Sequence, residues 1–521
     1  MENNQLGNDQ SKILEMYDII FCSLPYSNLD QIYSAPAVLK GVAVANNYQA
    51  KTIDFGITLL NLCNKDIDLF NRVQTYFISP DNILDPPEKK ILDLYYEQII
   101  EFFKSNPTRY IGISVLSIYT HKATFDVVKM LREHNIDAKI VIGGRGIKVP
   151  IYSLVSNGIA SSKLDKIINY GEMLKKKKLI DHFIIGDGED AIIEVLEGKS
   201  SNSQDHRTDT FKYPLPNYDD YDFSSYLFSS YDKIAFPITG SKGCVRDCDF
   251  CDIRFQFGKY RYRTGHDIAK EMLFVAEKYN FRKFQFTDSL VNGGLKPLEE
   301  FCNVIADYNL KNPDKRITWT GQYICRPETQ MPKYLYKLMS DSGAEGLTIG
   351  AESGSNHVLE VMNKKTTVEA LYYELEQFRQ HNITCVILTV VGHWAETFDD
   401  FVEHCRMFVN LLPYARSGTI SSITIGTTAL LLDETPSMRD IDKLKIHRDD
   451  EIGNILWVSE LNLSNNLKER LYRRLVISRL VTQLKIPCHG EYELMLQFNA
   501  LIEQQHKHIN EFHEKFYKNF H

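Results

Sequence analysis

The sequence predicts an α/β protein in three parts: an N-terminal parallel sheet, a second series of β/α units forming part of a barrel, and a helical C-terminal region. Three observations predict it. Short apolar runs alternate with helix-period stretches from Asp18 to Gly198; the alternation resumes from Ile234 to Ile425; and after about Asp433 the pattern becomes helical with heavy charge. The 521 residues, 43% hydrophobic and 25% charged, are enough for several cores and exclude disordered, collagen-like and fibrous classes.

In the first part, strands are expected at 18–23, 51–55, 110–116, 139–142 and 182–185, with helices at 35–46, 88–103, 121–134 and around 164–178. Five strands with crossover helices make a Rossmann/flavodoxin-like sheet covered on both faces. Its strands run into small-residue loops, Ser23-Leu24-Pro25, Gly143-Gly144 and Gly186-Asp187-Gly188-Glu189, where backbone can turn tightly or approach a ligand. Residues 201–230, rich in Ser, Asn, Asp, Pro and Tyr, read as a linker between a first domain at 1–200 and a barrel at 231–435.

The barrel's strands are expected at 234–239, 283–287, 317–320, 347–350, 385–391 and 421–425, with helices at 267–279, 297–308, 333–340, 368–380 and 398–411. Six units of this spacing suggest a partial (β/α)6 TIM-type barrel. In the last part, 436–521, residues 468–485 and 491–517 read as amphipathic helices packed outside it. No internal repeat interrupts the series.

Lys plus Arg number 60 against 68 Asp plus Glu, a net charge of −8, which argues against a chain devoted to gripping nucleic acid. No apolar run reaches the roughly 18–20 residues that span a bilayer. Residues 1–11 are polar and lack a signal-peptide layout, so the expected location is cytoplasmic. Ten cysteines are too few for a disulfide scaffold, and seven of them are scattered. The other three are clustered.

Gly243-Cys244-Val245-Arg246-Asp247-Cys248-Asp249-Phe250-Cys251 has the spacing Cys-x3-Cys-x2-Cys just after the first barrel strand. In a chain of this composition chance produces such a match only about 0.004 times. Three thiolates on one loop can hold three corners of a [4Fe-4S] cluster and leave one iron open. The alternative is structural zinc, for which His266 and Asp247 are nearby candidates for a fourth ligand, in a binding or scaffold protein without redox chemistry.

The triplet, with aromatic Phe250 before its third cysteine, resembles the signature of the radical S-adenosylmethionine (radical SAM) enzymes. The resemblance implies catalytic and metal-binding roles for Cys244, Cys248 and Cys251. The open iron would chelate the amino and carboxylate groups of SAM, and reductive cleavage would yield methionine and a 5′-deoxyadenosyl radical. It also implies a cofactor contact at Phe250 and further ones at barrel-strand ends. These are Asp288 and Ser289 near the SAM amino group, Arg326 with its carboxylate, Glu352 and Ser353 near the ribose, and Gly392 and Glu396 near the adenine. His393-Trp394-Ala395 departs from the family's x-Pro-Gly in that last loop.

A Rossmann-like domain ahead of the barrel resembles the cobalamin-binding subgroup of this superfamily, so the resemblance spans about residues 15–435. It implies cobalamin near Ser23, Pro25, Ser114, Gly143, Gly144, Gly186, Gly188 and Glu189. The Asp-x-His-x-x-Gly element of other cobalamin proteins is absent and residues 23–36 contain no His, so cobalt would lack a histidine ligand. The competing reading makes these glycines plain turn residues.

The implied function is cobalamin-assisted methylation or another radical reaction on a small metabolite, with a flavodoxin- or ferredoxin-type electron donor. A tRNA- or protein-modifying radical enzyme is the other member of this class. The methylthiotransferases of that kind carry extra N-domain cysteines and a β-rich RNA-binding tail, whereas this N-domain has only Cys22 and Cys63.

Other features read more plainly. Lys175–Lys178 is a solvated helix end, and His506, His508 and His513 are expected at the surface. Cys325 is a buried thiol or a radical quencher, and Arg261, Tyr262 and Arg263 either bind substrate or pack over it.

Overall fold

A computed structural model describes residues 16–25, 29, 31–78, 83–148, 169–199, 212–226, 235–426, 431–432, 434–449, 453–488 and 506–518. The chain divides into two compact units, residues 1–208 with 213–227 and residues 209–212 with 228–521.

In the first unit, five strands form one parallel sheet: β1 (Tyr17–Ser23), β2 (Ala50–Asp54), β3 (Thr108–Ser114), β4 (Lys139–Gly143) and β5 (His182–Ile184), in the order β2-β1-β3-β4-β5. Strand alternation sends Ile20, Cys22, Ile111, Ile113, Ile140 and Ile142 into one core, shared with helices Phe55–Leu62, Pro86–Ser105 and His121–Glu133. Ile19, Phe21, Tyr110, Val141 and Ile184 point the other way, against helices Ser34–Ala45 and Gly188–Leu196. Burial on both faces explains why these strands read as continuous apolar runs.

The Pro86–Ser105 helix runs two residues beyond the expected 88–103 at each end. Asp85 caps it, Glu88 closes a capping box, and Pro86 fills a position whose N–H would be unpaired anyway. The segment expected as a linker packs on this first unit over residues 213–226. Asp220 accepts from Lys40 (2.5 Å) and the Thr52 N–H (2.7 Å), and the Tyr226 hydroxyl donates to buried Asp54 (2.9 Å).

The second unit opens with β6 (Ala235–Ile238), followed by a two-stranded hairpin of β7 (Ser241–Lys242) and β8 (Arg261–Tyr262). Then come β9 (Lys283–Phe286), β10 (Thr318–Thr320), β11 (Gln322–Tyr323), β12 (Leu347–Glu352), β13 (Cys385–Thr389) and β14 (Ile420–Ile425). β10 pairs with β9 and β11 with β12, so one chain segment bending at Gly321 joins the orders β10-β9-β6 and β11-β12-β13-β14. The result is six parallel strand positions wrapped as a partial barrel, with helices at Gly265–Lys278, Leu295–Lys311, Lys333–Asp341, Val368–Gln380 and Phe398–Arg416. The outer edge of β14 is covered, since Ile423 donates to the Pro487 carbonyl (2.9 Å).

The C-terminal part is less purely helical than expected. It contains the antiparallel pair β15 (Ile446–Arg448) and β16 (Trp457–Ser459) besides helices Pro436–Arg439, Leu467–Gln483 and His506–Tyr517. The helix Leu467–Gln483 corrects the amphipathic reading, because its buried face includes Arg470, Arg473 and Arg474. His513, expected at the surface, is buried, and His508 pairs with Asp449 (2.9 Å). The expected helical starts at 164 and 491 lie outside the described residues.

Candidate functional site

The three cysteines sit on the loop that the β7–β8 hairpin closes at the C-terminal end of β6, the end where such barrels place their chemistry. Cys248 is buried, Cys244 and Cys251 half-buried, and none is in a disulfide. Burial raises all three thiols, Cys248 to about 12, and the charges of neighbouring cysteines add to the effect at Cys248 and Cys251. A bound metal removes those protons, so this pocket favours metal-held thiolate over free thiolate.

Among the described residues, the charge of Lys364, between the helices Asn356–Val361 and Val368–Gln380, acts on all three thiols, and that of Arg246 adds to it at Cys244. The Lys364 Nζ lies 2.5 Å from Glu352 Oε1 and 5.8 Å from the Phe250 ring centre. Burial works against its charge, yet Glu352 and Cys248 hold the ammonium above its ordinary value. Glu352 reaches it from a bulge at the end of β12, with φ at +62°, an uncommon angle for a residue with a side chain. Sequence reading missed Lys364, because Asn363-Lys364-Lys365 looks like an ordinary solvated turn.

The loop is fastened from several sides. The Asp249 N–H donates to the Met362 carbonyl (3.0 Å), and Asn363 Nδ2 to the Asp247 carbonyl (2.7 Å). Asp249 Oδ2 accepts from His393 Nε2 (2.9 Å), Trp394 Nε1 (3.0 Å) and Ser437 Oγ (3.0 Å). Although burial raises Asp249, the His393 and Trp394 hydrogen bonds leave its carboxyl below the usual carboxylate range.

The other expected contacts have partners of their own. Asp288 accepts from the Gly240 N–H (2.7 Å) and Ser241 Oγ (2.6 Å), and burial pushes it up to about 7. It joins the β9 end to the start of the cysteine loop, with Ser289 half-buried beside it. The Arg326 guanidinium donates to the carbonyls of Asn292 (2.6 Å) and Gly293 (3.0 Å). Ser353 Oγ accepts from the Ser355 N–H (3.2 Å). Glu396 is buried against Arg473 (2.9 Å), and Gly392 lies under the aliphatic stem of Arg470. These two brace the C-terminal helix.

Arg263 forms a buried pair with Glu271 (2.6 Å), so of the two readings for that segment this residue takes packing, while Tyr262 is exposed. Cys325 is buried, its thiol raised by burial. Among the described residues, no group of three or more His, Cys, Asp or Glu is arranged to hold a single metal ion. Zinc draws thiolates to about 2.3 Å from one centre. Of the two proposed fourth ligands, His266 is largely exposed beside Glu300 (3.8 Å), and Asp247, on the cysteine loop itself, faces Arg254 (3.4 Å). The donor set, three thiols on one loop beside a cation, fits three corners of an iron–sulfur cluster.

In the first unit, Ser23, Ser114 and Gly143 lie on one register row at the C-terminal edge of the sheet, with Asp54 before them and Ile184 after. Order 2-1-3-4-5 reverses direction between β1 and β3, the place where open sheets of this kind take ligands. Pro25 follows that edge at β1, while Gly186, Gly188 and Glu189 follow it at β5. Gly144 has φ +116° and sits against the Val115 backbone, where a Cβ has no room.

Residues 238–408 match the family model of the radical SAM superfamily. The chain is 27% identical over 194 residues to tRNA-2-methylthio-N(6)-dimethylallyladenosine synthase of a Thermoanaerobacter species, spanning 36% of this chain and 40% of that relative. Its fold resembles radical S-adenosylmethionine methyltransferase TsrM from Kitasatospora setae at TM-score 0.57, with 14% identity, 87% of this chain and 82% of that one. The cobalamin-dependent S-adenosylmethionine radical enzyme OxsB matches at TM-score 0.59, with 14% identity, 89% of this chain and 66% of that one.

Proposed function

We propose, from the premise that this chain belongs to the radical SAM superfamily through residues 238–408, that it is a cobalamin-dependent methyl-transferring enzyme acting on a small molecule. The observation that carries the reading is the cysteine loop, three buried or half-buried thiols facing one buried lysine. A cluster held there would supply the electron for cleavage of the SAM sulfonium, and cobalamin would supply a methyl carrier.

The chain's own residues do the rest. Cys244, Cys248 and Cys251 hold the cluster. Lys364 offsets negative charge beside them, and its ion pair with Glu352 keeps that ammonium in place. Phe250, next to Cys251, lays its ring 5.8 Å from that ammonium. Asp288, Ser289, Glu352 and Ser353 stand at strand ends where the amino acid and ribose parts of SAM would lie, while Arg326 would have to exchange a carbonyl to reach the SAM carboxylate. Ser23, Ser114, Gly143 and Gly144 offer a narrow, small-residue edge for cobalamin.

The likeness to TsrM and OxsB, proteins described with cobalamin, supports the first unit's role. Methylthio transfer to tRNA, the activity of the Thermoanaerobacter relative, is disfavoured. The first unit's two cysteines, Cys22 and Cys63, are buried in its apolar core, with both thiols raised by burial.

The test is anaerobic purification of the full chain with hydroxocobalamin supplied during expression. About four irons and one cobalt per chain are expected, with SAM cleavage that Cys→Ala at 244, 248 or 251 abolishes. Iron without cobalt removes cobalamin from the proposal, and cleavage retained without the cysteines removes the whole of it.

A further inference from the structure

We infer that His393 is a positioning residue for the cysteine loop, held for that task by the C-terminal part of the second unit; the inference rests on the reading that the loop binds a cluster. His393 follows β13 and is 2% exposed. Its Nε2 donates to Asp249 Oδ2 (2.9 Å) and its Nδ1 accepts the Ala395 N–H (3.3 Å). The tautomer with its hydrogen on Nε2 satisfies both contacts.

Asp249 stands between the second and third cysteines, so whatever fixes its carboxylate fixes the backbone from which both thiols project. Three donors converge on that one oxygen: the His393 imidazole, the Trp394 indole and the Ser437 hydroxyl. The Ser437 N–H adds a bond to the Asp249 carbonyl (2.9 Å).

The 392–397 loop is itself gripped from behind. Asn465 Nδ2 donates to the carbonyls of His393 (2.6 Å) and Gly392 (3.3 Å), and Asn462 Nδ2 to those of Glu396 (2.9 Å) and Trp394 (3.2 Å). Arg473 binds both the carboxylate (2.9 Å) and the carbonyl (3.0 Å) of Glu396. The loop has no proline to stiffen it, and these side chains supply the rigidity instead. The C-terminal part thus reaches the cysteine loop directly through Ser437 and, by way of Asn462, Asn465 and Arg473, through the loop that carries His393 and Trp394. Loss of a bond to a metal-ligating side chain typically costs 10- to 100-fold in metal affinity; His393 acts one step further out, through the loop backbone, so the low end of that range is expected.

The experiment uses the full chain reconstituted anaerobically with iron and sulfide. Iron content, the rate of iron loss to a ferrous chelator and the electron paramagnetic resonance of the reduced cluster are compared between variants. His393→Ala is expected to take up iron, release it about 10-fold faster and alter the resonance. His393→Gln, whose amide nitrogen reaches about where Nε2 lies, should restore both, and Asp249→Ala/His393→Ala should release iron no faster than Asp249→Ala.

Wild-type release and resonance in His393→Ala, or failure of Gln to rescue, overturns the inference while leaving the cluster intact. If His393→Ala does not fold, Trp394→Phe, which removes one donor, should speed release several-fold; wild-type release there overturns it. A wild-type chain that takes up no iron removes the inference and the cluster reading together.

Discussion

At the scale of single residues, the same side-chain type does different work according to what reaches it. Glu352 and Glu396 both stand at barrel-strand ends in segments that resemble cofactor motifs. One pairs with Lys364 beside the cysteines; the other is buried against Arg473. Asp288 shows the consequence for titration. Its folded value is about 7 against roughly 3.9 for an exposed aspartate, so between those values the folded chain holds a proton that the unfolded chain has released. Stability therefore falls as pH rises from about 4 to 7, by up to about 4 kcal/mol, and levels off above. Asp288→Asn should flatten that part of the profile in denaturant unfolding of the cluster-free chain; an unchanged slope would show that Asp288 is not the group responsible.

Elements succeed or fail as sequence readings by how local their signal is. The Val368–Gln380 helix starts and ends where its periodicity places it, and Thr397 with Asp400 forms the capping box that starts Phe398–Arg416. The short hairpin β7–β8 and the pair β15–β16 gave no such signal, because two- and three-residue strands have too few side chains to show alternation. The helix Leu467–Gln483 misled in a different way: its buried Arg470 and Arg473 satisfy carbonyls and the carboxylates of Glu396 and Glu469 rather than water. Arg470 donates to the carbonyls of Asn465 (2.8 Å), Trp457 (3.2 Å) and Ile455 (2.7 Å) and cannot swing aside. Gly392, with φ +77°, lies against its stem. Gly392→Ala should thus combine backbone strain with overpacking and lower the second unit's stability by about 2–4 kcal/mol, read from the shift of the urea midpoint.

For the whole molecule, two units with separate cores predict two unfolding transitions. Loading with iron and sulfide stabilises whichever unit binds them, since a ligand bound only by the folded state raises its melting point. Calorimetry should show one transition rising on loading and the other unmoved, and Cys248→Ala should abolish the rise. Both transitions rising together would mean that the units unfold as one. No helix among the described residues is long and apolar enough to cross a membrane.

The sequence by itself determined what short-range chemistry can encode: the strand series of both units, most helices to within a few residues, and the Cys244-Cys248-Cys251 spacing that marks the loop. Periodicity and spacing act over a few residues, and each such signal is complete within its own segment. Tertiary structure alone decided which groups meet. Asp249 and Ser437 are 188 residues apart, Glu396 and Arg473 77. No local pattern selects such partners, because a carboxylate's neighbours are set by how the strands close into the barrel and where the C-terminal helix comes to rest. The register row Ser23, Ser114 and Gly143 likewise exists only once three separate strands pair. Lys364 sits in an unremarkable charged turn until the fold buries it beside three thiols, where an ammonium without Glu352 would be too costly to keep.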